Sequence, residues 1–194
     1  MEKRLLITGF DAFGGSPLNP SWLAVEKLPD RVGDYVLCKL MIPTCFGIAA
    51  QRVLEAAATF QPDLILCVGL AGGRDAVTPE RIAVNIRDAR IPDNAGCQPR
   101  GQRADPQGPA AYFVTVPVEE MAEAIRAAGI PATVSNSAGT FVCNDVLYTL
   151  LHRYHGTAVR VGFIHVPNIS ELGDPSLPLD AIVRALTEAI LACQ

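Results

Sequence analysis

Short apolar runs alternate with amphipathic helical patterns along this chain, and that alternation limits it to few folds. The runs at residues 3–8, 35–42, 64–69, 82–88, 132–135 and 160–165 read as strands. Residues 21–28, 47–60, 118–128, 141–154 and 180–193 read as helices. In the fourth helix Val142, Val146, Leu147, Leu150 and Leu151 recur with a 3.6-residue period. In the last, Ile182, Val183, Leu186, Ala189 and Ile190 do the same. A strand–helix–strand connection makes neighbouring strands parallel and covers the sheet with helices. The expected fold is therefore α/β: a single-domain three-layer α/β/α sandwich over residues 1–194, built on an open, mostly parallel (mixed) twisted sheet. Segment 82–88 has no obvious helix on either side, so some antiparallel pairing is expected there.

At 194 residues the chain is long enough for one sizeable core. A content of 49% hydrophobic and 19% charged residues suits a compact globule and argues against disorder. The net charge of −4, without a basic run, excludes a typical nucleic-acid partner. No apolar stretch approaches the ~20 residues that cross a bilayer. The N-terminus has two bases but too short an apolar run for a signal peptide, and it reads as a first strand. The expected location is cytoplasmic. Six cysteines include no CxxC pair, which gives zinc and dithiol redox chemistry little support. Cys38 and Cys67 fall inside strand-like runs and read as inert buried thiols.

The long connections depart from a bare scaffold. Segments 10–20, 70–79 and 91–110 are rich in Gly, Pro and polar residues, and such stretches in a compact domain are usually functional loops. The pairs Gly14-Gly15 and Gly72-Gly73 fit neither a dinucleotide nor a P-loop pattern and read as tight turns. Phe10 and Phe13 are core anchors or the wall of a small apolar pocket, with Phe141 and Val142 on the opposite side.

Cys143 follows the small polar run Ser135-Asn136-Ser137-Ala138-Gly139-Thr140 and opens the fourth helix. With Thr140 as N-cap it would stand in the first turn, where free N–H groups and the helix dipole favour negative charge. A thiol there is expected to ionise more easily. Buried cysteine packing is the competing reading. His165 ends the apolar run 159–164, at a strand end where α/β proteins place catalytic groups, or else it is a satisfied core histidine. His152 and His155 lie at the far end of the Cys143 helix, without a third ligand nearby, so no metal site is expected. A cysteine–histidine pair needs an orienting group. Glu80, after Thr78-Pro79, is one candidate, unless it is an exposed carboxylate paired with Arg81; Asp88, Asp93 and Asp145 are rivals.

Taken together, several segments carry a resemblance. They include Ile7-Thr8-Gly9-Phe10 with Phe13-Gly14-Gly15, Gly69-Leu70-Ala71-Gly72-Gly73-Arg74 and Thr78-Pro79-Glu80-Arg81. Further along are Asp88-Ala89-Arg90-Ile91-Pro92-Asp93-Asn94, Ser135 through Asn144, and Gly162-Phe163-Ile164-His165-Val166-Pro167. In this order they resemble pyroglutamyl peptidase type I, the pyrrolidone-carboxylate peptidase family. The resemblance implies a cysteine exopeptidase that removes N-terminal pyroglutamate from small peptides through a thioester. It implies the triad Cys143, His165 and Glu80, with Arg90 beside the nucleophile as oxyanion support. It also implies a substrate pocket lined by Phe10, Phe13, Thr44, Ile91, Phe141 and Val142, with Asn19 nearby. No metal or other cofactor is expected, and the assembly implied is a cytosolic homotetramer. The alternatives are a different small cysteine amidase or a non-catalytic α/β ligand-binding domain. Asn168, Ala12, Asp145 and Cys97 depart from the family's pattern, none of them in the triad.

Overall fold

The computed structural model describes residues 2–194. Its elements are β1 (Lys3–Phe10), α1 (Pro20–Lys27), β2 (Arg31–Val32), β3 (Tyr35–Ile42), α2 (Ile48–Phe60), β4 (Leu64–Leu70), β5 (Thr78–Pro79) and β6 (Ile82–Val84). There follow β7 (Ala111–Phe113), α3 (Val118–Ala127), α4 (Val142–Tyr154), β8 (Arg160–Val166), a 3₁₀ turn at Ser170–Leu172 and α5 (Leu179–Leu191). The main sheet has the order β2-β3-β1-β4-β8-β5. Its four central strands are parallel, and the short edge strands β2 and β5 are antiparallel to their neighbours. The expected mixed, mostly parallel sheet is what forms.

From β1 the chain moves one way to β3, then back past β1 to β4. Right-handed crossovers in opposite directions put their helices on opposite faces. Two cores result. Leu5, Ile7, Leu64, Leu66, Val68, Ile164 and Val166 pack with α1, α3 and α5. Leu6, Phe10, Ile65, Cys67, Val161 and Phe163 pack with α2 and α4. The strict alternation along β1, β4 and β8 follows from the two-residue period of a strand. His165 shares its parity with Val161 and Phe163, so it faces α4. Val146, Leu147, Leu150 and Leu151 of α4 are buried against that face. Each such side chain contributes roughly 1.5–3 kcal/mol on burial.

Two predicted strands are corrected. Residues 132–135 form no strand; they make only two isolated parallel bridges, Val77 to Ala132 and Glu80 to Ser135. Proline explains the gap. The ladder runs from Val77 N–H to Pro131 O, Thr133 N–H to Val77 O, Ser135 N–H to Pro79 O and Arg81 N–H to Ser135 O. The missing rung would need an N–H on Pro79. Of 82–88 only Ile82–Val84 is strand, and it pairs antiparallel with β7 in a separate ribbon. Beyond it, Asn144 of α4 takes over the backbone. Its amide donates to Val84 O at 2.8 Å and Ile86 O at 3.2 Å, and its oxygen accepts from Val84 N–H at 2.9 Å.

Candidate active site

The carboxyl ends of the parallel strands converge on one region, as the crossover pattern requires of an open α/β sheet. Phe10 ends β1, Leu70 ends β4, and His165 is the penultimate residue of β8. Gly69 and His165 are register partners on adjacent strands. Gly69 has no side chain, and Cys143 fills the vacancy: a Cβ built at Gly69 would lie 2.9 Å from Cys143 Sγ and 2.8 Å from the Phe163 ring. Since register partners in a parallel ladder share a face, Gly69 brings the sulfur onto the strip of sheet that carries His165.

Cys143 is held rigidly. Asn144 is anchored as described, and fully buried Asp145 accepts from Gly47 N–H at 2.9 Å and from Arg87 Nε at 2.6 Å. The N-cap of α4 is Phe141, not Thr140, and no side chain caps the helix. The Thr140 hydroxyl instead donates to Asp88 O at 2.8 Å. The N–H groups of the first turn therefore keep their capacity to bind a negative oxygen.

The surroundings of the thiol oppose the effect of its helix position. Burial pushes Cys143 up to about 12, and the charges of Glu80 and Cys67 add to this. Its own backbone N–H and Arg74 pull the other way with less effect. Desolvation outweighs the helix dipole here. Cys67 is likewise raised to about 12 by burial, and Cys38 is raised for the same reason, consistent with inert thiols.

Glu80 is fully buried, which overturns the alternative of an exposed carboxylate. Arg81 turns away to Glu119 at 2.5 Å and Asn136 at 2.8 Å. The backbone of Glu80 is pinned by its N–H to Phe163 O at 2.9 Å. Its Oε1 lies 2.7 Å from His165 Nδ1 and 2.6 Å from Arg74 Nη1. An ionised carboxylate only accepts, so Nδ1 carries the proton and Nε2 keeps its lone pair. Burial alone would raise the Glu80 carboxyl; hydrogen bonding and charge from His165, with Ser135 and Arg74, outweigh it and hold it below the usual range. Burial also lowers His165, and Glu80 offsets only part of this.

Both depressions give the same stability trend. A neutral buried His165 contributes fully above its unfolded value of 6.5, and this is lost as pH falls through its lower folded value. Glu80 contributes above its ordinary 4.5, and this is lost further into acid. The thermal midpoint is expected to fall as pH is lowered from 6.5 to 4.5, more steeply in the parent than in His165→Gln. Differential scanning calorimetry across this range checks it; equal slopes would contradict the burial argument.

The rival carboxylates serve the scaffold. Asp93 accepts from the N–H groups of Phe46, Ala95 and Cys97. Asp145 is spent as above. Asp88 lies at the surface, 3.9 Å from Arg100. His152 meets Tyr112 OH at 2.8 Å and Asp105 at 3.6 Å, away from Cys143.

In front of the sulfur lies a cavity of about 120 Å³ lined by Phe10, Phe13, Leu18, Asn19, Thr44, Leu70, Phe141 and Cys143. Phe141 is wedged between Phe13 and Phe46, with ring centroids 5.2 Å from each. The amide of Asn19 is committed, accepting from Ser21 N–H and Oγ and donating to Asp11 O at 2.8 Å. Asp11 Oδ1 accepts from Thr44 N–H at 2.7 Å, Thr44 Oγ1 at 2.8 Å and Asn94 Nδ2 at 3.1 Å. Five of the seven pocket residues named from the sequence are thus brought together. Val142 is not among the lining residues; it is fully buried in the core with α2 and α4. Ile91 and Arg90 line an adjoining groove of about 420 Å³ with Asp88, Arg100, Gly139 and Thr140, which shares Phe13 and Phe141 with the cavity. Leu18, Leu70 and Arg74 were not singled out from the sequence. Leu70 had one signal, its place directly after the apolar run 64–69; Arg74 had its place in the glycine-rich loop six residues before Glu80.

Comparison with known proteins places this chain in a class, the cysteine peptidases. More narrowly, the family model described as pyroglutamyl peptidase matches residues 3–194, and the chain belongs to that family. A pyrrolidone-carboxylate peptidase of Levilactobacillus brevis is 50% identical, covering 97% of this chain and 96% of its own. The crystal structure of Bacillus amyloliquefaciens pyroglutamyl peptidase I is 46% identical with a TM-score of 0.94, covering 99% of this chain and 97% of its own. The pyrrolidone carboxyl peptidase of Thermococcus litoralis is 36% identical with a TM-score of 0.93, covering 98% and 93%.

Proposed function

We propose that Cys143, His165 and Glu80 together perform the reaction of this family, removal of N-terminal pyroglutamate from peptides. The observation that carries the proposal is the buried imidazole, locked through Nδ1 to Glu80 at 2.7 Å, on the same strip of sheet as the sulfur over Gly69.

The cycle starts from a thiol and a neutral imidazole. His165 Nε2 takes the thiol proton as Sγ attacks the pyroglutamyl carbonyl carbon, forming the C–S bond. Negative charge moves to the carbonyl oxygen, which the uncapped N–H groups of α4 receive; one such donor is worth ~3–4 kcal/mol. Arg90 adds positive charge from the adjoining groove. The C–N bond then breaks, and His165 returns its proton to the leaving amine. Water attacks the thioester, giving one proton to His165, and the C–S bond breaks to release pyroglutamate. His165 then reprotonates the sulfur. Glu80 holds the ring and stabilises the imidazolium in each half-reaction.

The cavity suits a lactam. None of its eight lining residues carries a charge at neutral pH, and three are phenylalanines. An ordinary N-terminal ammonium would enter without a counter-ion, at a cost of several kcal/mol. The adjoining groove receives the rest of the peptide.

The test is alkylation of Cys143 by iodoacetamide, followed by peptide mapping. At neutral pH His165→Ala is expected to slow it about 10-fold or more, because the base that generates the thiolate is gone. An unchanged rate would remove His165 from the role of base.

The single working unit over 1–194 and the cytoplasmic homotetramer belong to the same proposal. The single unit draws support from the family match over residues 3–194, and the cytoplasmic homotetramer from six unpaired cysteines and the exposed Met41, Ile48, Ile86 and Phe113. Among the described residues, no helix is long and apolar enough to cross a membrane.

A further inference from the structure

Glu80 is an unusual buried carboxylate. It is fully enclosed, yet both of its side-chain hydrogen-bond donors converge on one oxygen, Oε1, and Oε2 is buried with no partner. Ser135 stands beside it and helps to hold the carboxyl low, although in this geometry its hydroxyl donates to Ser137 O at 3.2 Å. A buried anion with so few donors is costly to maintain. One of its two donors is the catalytic ring itself. The other is Arg74.

From the proposed triad, we infer that Arg74 is a positioning residue of the reaction, keeping Glu80 ionised and tying it to the loop that carries the nucleophile. One guanidinium ties its own loop to two other segments. Nη1 reaches Glu80 Oε1 at 2.6 Å and also Thr78 Oγ1 on β5, while Nη2 donates to Ser137 O at 3.1 Å in the loop leading to Cys143. The loop bearing Arg74 is fastened in turn: Arg74 N–H donates to Ala71 O at 2.9 Å, and Asn168 Nδ2 to Gly72 O at 3.0 Å. The planar fork makes this possible, since a guanidinium offers donors in two fixed directions and a lysine ammonium does not. Arg74 touches neither Cys143 nor the cavity in front of it, so it acts through Glu80 and His165.

The charged and titratable groups facing the Glu80–His165 pair are Arg74 from the loop after β4 and Cys143 from α4, with Cys67 of β4 behind Cys143. Arg74 is the fixed positive charge among them. It opposes protonation of Glu80 and of His165 alike. Without it, the pair takes up a proton at a higher pH. The base is then lost earlier on the acid side.

The experiment is the pH profile of kcat/KM on a fluorogenic pyroglutamyl amide for the parent, Arg74→Gln and Arg74→Lys. Arg74→Gln is expected to lower kcat about 10- to 100-fold with little change in KM. It is also expected to move the acid limb to higher pH. Arg74→Lys is expected to keep the parent's acid limb while kcat stays reduced, because charge is restored but the fork is not. An acid limb that stays put in Arg74→Gln would overturn the inference, since a merely structural residue lowers activity without moving it. If Arg74→Gln does not fold, Arg74→Lys decides: a displaced acid limb or a parental kcat would overturn the inference. Glu80→Gln run alongside separates the two levels. Parental activity there defeats the triad itself, whereas a crippled Glu80→Gln with an unmoved Arg74→Gln profile defeats only the role of Arg74.

Discussion

Cys143→Ser is expected to reduce turnover of a pyroglutamyl amide by roughly 10⁴-fold or more while leaving the fold unchanged. The exchange of sulfur for oxygen is nearly isosteric, and the position is fixed by Gly69 behind it and by Asn144 and Asp145 beside it. A serine hydroxyl is a far weaker nucleophile in this setting. Burial lowers the capacity of His165 to hold a proton, so it deprotonates the less acidic hydroxyl poorly. A fluorogenic assay with circular dichroism on the same samples checks both halves of the expectation. A serine variant as fast as the parent would end the assignment of Cys143.

The second large effect concerns the substrate. A prolyl amide is expected to be cleaved at least ~10⁴-fold more slowly than the matching pyroglutamyl amide, measured as kcat/KM. The two rings are similar in size, but proline carries a protonatable nitrogen and lacks the ring carbonyl. The cavity offers the resulting cation only phenylalanine, leucine, the Cys143 thiol, an amide already committed to Ser21 and Asp11, and a threonine already bonded to Asp11. Comparable rates on the two amides would show that the cavity does not select by charge.

How much of this was legible in the amino-acid order depends on the range of the interaction. The parallel strands and the five helices were legible because continuous apolar runs and amphipathic periods are local patterns. The strand at 132–135 misled because its failure lies in Pro79, a distant residue that cannot donate to it. Thr140 looked like a cap because capping residues are recognised by type, yet its hydroxyl goes to Asp88 O across the fold. Cys143 and His165 announced themselves by their places at a helix start and a strand end. Glu80 did not stand apart from Asp88, Asp93 and Asp145 on local grounds; the resemblance pointed to it, and the β5–β8 pairing puts it beside His165. The desolvation of Cys143, which works against the helix dipole, was not legible because burial is a property of the packed molecule.

Asp11 has a wider consequence. One of its oxygens gathers donors from the turn after β3 and from residue 94 of the long loop, while its own backbone belongs to the first loop. Three separate stretches of chain thereby behave as a single panel of the chamber wall. Small shifts in any one of them are transmitted to the other two, so selectivity for the ring can drift through changes far from any atom the substrate touches.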